Sequence, residues 1–156
     1  MPDMRGRSGS VAPPSGGAQH LVDVLSARVP VGDDLVLSGH GDERGFLLPE
    51  LAPDLEHQER FHGALTPEDL HGLVDLPGRT IVSLGCVTGR AEIASAFLAG
   101  GCSAYIGPSG YPDGSSAVFF AMRLYYHLLH DEMELDGAFE LAASTNDETG
   151  MYRLFR

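Results

Sequence analysis

Cysteine is scarce in this 156-residue chain. Only Cys86 and Cys102 are present, too few for a disulfide framework, and both are expected as free thiols in a reducing compartment. Basic residues are also few, 10 against 22 acidic ones. The net charge of −12 argues against nucleic acid and anionic membranes as partners and suits a cationic peptide. No stretch reaches the roughly 18 consecutive apolar residues of a membrane helix, and no apolar run follows Arg5 and Arg7 to make a secretory signal. A soluble, cytoplasmic protein is the expectation. The glycines of residues 39–45 lack the G-x-G-x-x-G spacing of a dinucleotide site. His127 and His130, near Asp131 and Glu134, read as a solvated helix end, and His57, His62 and His71 lie in a charged middle segment without zinc-site spacing. No cofactor and no metal are expected.

A chain of this length buries roughly 68–70% of its unfolded surface, enough for one continuous core. Residues 1–18, rich in Gly, Ser and Pro, are expected as a disordered arm, and residues 19–156 as one α/β domain. A short helix over 19–27 feeds a strand at 35–38, whose unbroken apolar run is of the kind covered by helices on both faces. Residues 44–49 read as a small excursion beyond the sheet and 54–61 as charged and solvent-facing. Thr66 then acts as N-cap with Pro67 at the first helical position, and Leu70, Leu73 and Val74 give the buried stripe. A second strand over 79–85, a helix over 90–99 stopped by Gly100-Gly101, and a third strand over 102–106 follow, with Cys102 in the core. The helix over 115–130 is apolar around much of its circumference and is expected to be largely buried. A helix over 136–143 and a terminal strand at 151–155 close the chain. Strands alternating with helices imply parallel strands joined by right-handed crossovers.

Two segments carry chemistry. Leu35-Val36-Leu37-Ser38-Gly39-His40-Gly41-Asp42 and Ile81-Val82-Ser83-Leu84-Gly85-Cys86-Val87-Thr88-Gly89 are apolar runs that end on a reactive side chain beside glycine. In parallel sheets ligands gather outside the carboxyl ends of the strands, so two such endings can face one crevice. Cysteine attacks as thiolate, and a neighbouring imidazole takes its proton.

The pattern resembles the caspase-like cysteine peptidases, and within them the CHAT domains related to caspases and separase. The resemblance rests on Ser38-Gly39-His40-Gly41, on Leu65-Thr66-Pro67-Glu68-Asp69-Leu70, and on Ser83-Leu84-Gly85-Cys86-Val87-Thr88-Gly89. It continues through Phe97-Leu98-Ala99-Gly100-Gly101-Cys102-Ser103-Ala104-Tyr105-Ile106 and the helix over 117–129, and covers roughly residues 35–130. It implies a three-layer α/β/α, mostly parallel sheet and peptide-bond hydrolysis through an acyl-enzyme. His40 is then the general base and Cys86 the nucleophile. The amides of Gly41 and Cys86 form the oxyanion hole, with Gly41 and Gly85 as its backbone glycines. The family's loop after the third strand selects the residue before the scissile bond. Here it holds Tyr111 and Asp113, and Asp113 is expected to favour Arg or Lys there.

Two departures accompany the resemblance. CHAT domains commonly carry tryptophan where this chain has Gly110-Tyr111, and this chain has no Trp. A complete caspase-like domain also has one or two αβ units before the histidine strand, whereas about 34 residues precede it here, so the expectation is either a reduced sheet lacking the first αβ unit or an open edge completed by another chain. A bare parallel edge invites pairing, and a homodimer that completes the sheet edge is expected. Three readings stay open: a peptidase, an inactive scaffold that binds a peptide or partner protein in the same crevice, and a small-molecule (thio)esterase using the same dyad.

Overall fold

The computed structural model describes residues 18–56 and 59–156. The expected disordered arm therefore lies outside the described residues, except for Ala18, which opens helix α1 (Ala18–Leu25); His57 also lies outside them. Strand β1 (Asp34–Leu37) leads into a small excursion of β2 (Gly41–Asp42), β3 (Gly45–Leu47), the short helix α2 (Pro53–Glu56) and β4 (Ala64–Leu65). Then come α3 (Pro67–Leu73), β5 (Thr80–Ser83), α4 (Ala91–Ala99), β6 (Ala104–Pro108), α5 (Gly114–Leu129), α6 (Leu135–Ala143) and β7 (Tyr152–Phe155). The result is a mixed α/β fold around a mostly parallel four-stranded sheet.

That sheet has the order β1-β5-β6-β7, with β1, β5 and β6 parallel and β7 antiparallel to β6. All-parallel pairing thus fails at the last strand. Two helices, α5 and α6, lie between β6 and β7 and bring the chain back to the end it left. There the Ser109 amide donates to the Met151 carbonyl at 2.9 Å, so β7 must run the other way. The excursion forms its own antiparallel sheet, β2-β3-β4, which buries Phe46, Ala64 and Leu65.

Local sequence explains the helix ends. Thr66 caps α3 through its side chain, and Asp69 returns the bond to the Thr66 amide at 2.9 Å, a complete capping box with Pro67 just inside. Two parallel crossovers, β1 to β5 and β5 to β6, move the same way across the sheet. Right-handed connections therefore put α3 and α4 on one face, where Leu70, Leu73, Ile93 and Phe97 pack with Leu37, Ile81 and Tyr105. Phe97 stacks on Tyr105 with centroids 4.7 Å apart, a pair worth about 0.5–1.5 kcal/mol beyond its area.

Only α5 and α6 remain for the other face. They pack over Val82, Ile106 and Tyr152, with Phe120 stacked on Tyr152 at 3.7 Å. Strand β1 is the outer edge of that face, and Val36 is 42% exposed. The expected two-sided cover of β1 is thus one-sided, because both crossovers spend their helices on the opposite face. The expectation for α5 is corrected too: Val118, Phe119, Met122, Tyr126 and Leu129 are exposed. Among the described residues no helix is long and apolar enough to cross a membrane.

Candidate functional site

Register brings the two motifs together. Leu37 of β1 pairs with Ser83 of β5, and His40 and Cys86 each follow three residues later at the carboxyl ends of these neighbouring strands. The Leu84 amide donates to the Leu37 carbonyl at 2.9 Å and holds the two strand ends side by side. Beyond that point the backbones touch. A methyl group on Gly41 would overlap the Cys86 carbonyl oxygen, and one on Gly85 would stand 3.4 Å from both the Gly41 nitrogen and the His40 carbonyl carbon. Only glycine allows this approach at position 41.

Cys86 sits on a sharp strand-to-helix turn. The next residue, Val87, has φ +50°, the left-handed region that a β-branched side chain avoids. Its amide donates to the Gly110 carbonyl at 2.8 Å, and the Arg90 Nε donates to its carbonyl at 3.1 Å. Gly89 presses on the backbone of Gly107, with its amide on the Pro108 carbonyl at 2.8 Å. Under the turn lies a buried polar knot. The Thr88 hydroxyl donates to the Gly85 carbonyl at 2.7 Å and lies 2.6 Å from the Ser83 hydroxyl, and the Tyr105 hydroxyl donates to the Thr88 carbonyl at 3.0 Å. Burial pushes the Tyr105 phenol well above its usual range.

This arrangement sorts the amides of the turn. Those of Leu84, Val87, Thr88 and Gly89 donate to backbone carbonyls, and that of Gly85 donates to the Ser83 hydroxyl at 3.3 Å. Gly85 therefore shapes the turn and is not an oxyanion donor. The Cys86 amide has no acceptor among the described residues. A donor left over beside a nucleophile is what an oxyanion hole requires.

The His40 side chain is exposed and Cys86 is half-buried. No hydrogen bond among the described residues joins the imidazole to the sulfur. Two tyrosines feel the charge of the thiol. The Tyr111 hydroxyl donates to the Glu43 carboxylate. That bond raises the Tyr111 phenol and holds Glu43 below the usual carboxylate range, and negative charge on Cys86 raises Tyr111 further. Tyr152 is buried, which pushes its phenol well up, with the charge of Cys86 as the smaller cause. Its hydroxyl has no partner among the described residues, nor does the buried Nη2 of Arg90.

Asp113 is placed differently from Tyr111. Its carboxylate accepts from the amide and hydroxyl of Ser115 at 2.8 and 2.5 Å and caps α5, and the hydroxyl bond lowers its pKa. The Glu148 carboxylate accepts from the Asp113 amide at 3.2 Å. Asp113 is thus exposed but engaged. Away from the site, His127 and His130 both bind Asp131 at the C-terminal end of α5. Among the described residues no group of three or more His, Cys, Asp or Glu is placed to hold a metal.

The sequence alone points to His40, Gly41 and Cys86. It misses Glu43, which meets Tyr111 only through the fold, and the knot of Ser83, Thr88 and Tyr105. A signal for the knot exists: Ser83 interrupts the apolar run of β5, and Thr88 stands between residues bound for a buried turn. No family model matches the chain, and no curated protein matches it.

Proposed function

We propose that the chain is a cysteine peptidase of the caspase-like, CHAT type, working through the His40–Cys86 pair. The supporting observation is the contact between the Gly41 and Cys86 backbones at adjacent strand ends, with the Cys86 amide left without an acceptor. His40 takes the thiol proton as the sulfur bonds to the peptide carbonyl carbon. The developing oxyanion accepts from the Cys86 and Gly41 amides. His40 then gives the proton to the departing amine, leaving an acyl-enzyme. Water, deprotonated by the same imidazole, attacks the thioester and restores the thiol.

Substrate preference follows from charge. The chain carries −12, and Glu43, three residues after His40, is held by the Tyr111 hydroxyl. Asp113 is committed to capping α5, so Glu43 is the stronger candidate to meet Arg or Lys before the scissile bond, with Asp113 behind it. A second reading, a peptide-binding scaffold without turnover, draws on the exposed and unbonded His40 ring.

A panel of fluorogenic peptides with Arg, Lys, Asp or Leu before the cleaved bond separates these readings. The peptidase reading expects turnover of the basic peptides, abolished by Cys86→Ala and lowered about 10²–10⁴-fold by His40→Ala. Peptide binding by the unaltered protein with no hydrolysis of any panel member supports the scaffold. Turnover restricted to simple thioesters overturns peptidase and scaffold together.

A further inference from the structure

The outer side of α5 carries an apolar face that nothing in the described chain covers. Val118, Phe119, Met122, Tyr126 and Leu129 are each between 44% and 65% exposed. At about 100° per residue they fall within roughly 100° of arc, opposite the buried Ala117, Phe120 and Leu124. No Asp, Glu, Lys or Arg lies in that arc; Arg123 falls outside it. Leu35 and Leu37 of β1 pack on the α3 and α4 side, so Val36 between them points to the α5 side of the sheet, where it is exposed. Among the described residues β1 pairs only with β5.

We propose that two copies of this chain associate through this face, α5 against α5 across a two-fold axis near Met122 and Tyr126, with the β1 edges drawn in beside them. Two observations select a second copy over another partner. Charge is the first. A chain of net charge −12 repels its own copy least where charge is missing, and the outer arc of α5 is such a place; a basic partner drawn by the acidic surface would find no carboxylate within that arc to meet. Area is the second. Half-exposure of five large side chains and Val36 gives a patch of order 400–500 Å² per copy, the size of the largest patch on a typical monomer, which is often functional. With the rim of β1 and the ends of α5 it approaches the roughly 800 Å² per partner of a standard interface. A single uncharged, apolar patch facing itself is the self-complementary surface that two-fold dimers use. The proposal stands independently of what the crevice catalyses.

Sedimentation equilibrium of the full chain tests it. Twice the chain mass is expected at micromolar concentrations, and the dimer should strengthen as salt screens the mutual repulsion. Met122→Glu, which sets two carboxylates at the axis, should raise the dissociation constant at least about tenfold while circular dichroism and melting stay unchanged. In a Cys86→Ala background, Met122→Cys should cross-link to itself under mild oxidant, whereas Leu141→Cys, exposed on α6, should not. A monomeric mass at every concentration overturns the proposal. So does a dimer that survives Met122→Glu, or one that weakens with salt.

Discussion

The two ends of the central sheet each hold one thiol, and their surroundings are opposite. At the amino end, Cys102 is buried just ahead of β6, and burial pushes its thiol up to about 11. The backbone there is closed by bonds that cross between segments, Leu76 to Gly100, Gly78 to Gly101 and Thr80 to Asp33. At the carboxyl end, Cys86 is half-open, its turn is strained at Val87, and its own amide is unspent. The same strands run through both regions. What separates a structural cysteine from a candidate nucleophile in this fold is therefore the turn that follows it and the glycine pressed against it, not the strand that carries it.

The sharpest way to break this comparison is alkylation. At neutral pH a thiol with a pKa of about 11 carries on the order of 100-fold less thiolate than an unperturbed one. Iodoacetamide followed by peptide mapping should therefore mark Cys86 and leave Cys102 unmodified until the protein unfolds. Equal labelling of both would erase the distinction between the two ends.

Removing the knot beneath Cys86 comes next. Thr88→Val strips the donor from the Gly85 carbonyl and a partner from the Ser83 hydroxyl, both buried, and should cost about 1–3 kcal/mol in urea unfolding. Under the proposed peptidase reading, turnover of the peptide panel should fall with it, since Gly85 and Cys86 lose their support. Cys102→Ala should lower stability by about 1 kcal/mol and leave the rate alone.

A pH titration of stability sharpens the contrast at the amino end. The folded Cys102 pKa lies above the unfolded value, so its protonated form favours the native state. That contribution is complete below pH about 8.5 and is lost as pH rises toward about 11. The alkaline loss should diminish in Cys102→Ala when denaturant midpoints are compared across that range. The smallest effect is expected for Asp113→Ala, which removes the α5 cap and should lower the melting temperature by a few degrees. It should leave the preference for basic peptides largely in place, and a full loss of that preference would return the specificity role to Asp113.

Much of this was legible before any coordinates, for identifiable reasons. Thr66, Pro67 and Asp69 announce α3 because capping is local chemistry, read over four residues. His40 and Cys86 announce a candidate site because each stands beside glycine at the end of an apolar run, a pattern read over a few residues. What stayed hidden is non-local. Two- and three-residue strands such as β2, β3 and β4 are too short to display a period. The direction of β7 depends on two helices packing as a pair. Glu43 and Tyr111 stand 68 positions apart and meet only once both loops are built. Periodicity in α5 counted apolar residues on several sides but could not tell which side the sheet would take, so an open face was read as a buried one.

The small sheet next to the main one has a practical corollary. The Leu48 amide donates to the Gly63 carbonyl at 2.9 Å, clasping the chain where it leaves and where it returns. Within this neck Phe61 packs back on the core while residues 52–54 are exposed, and doubling the length of such a loop costs only about 0.6 kcal/mol of closure entropy. A fluorescent reporter or an affinity tag grafted at the exposed residues 52–54 would thus ride on the molecule without pulling on either cysteine.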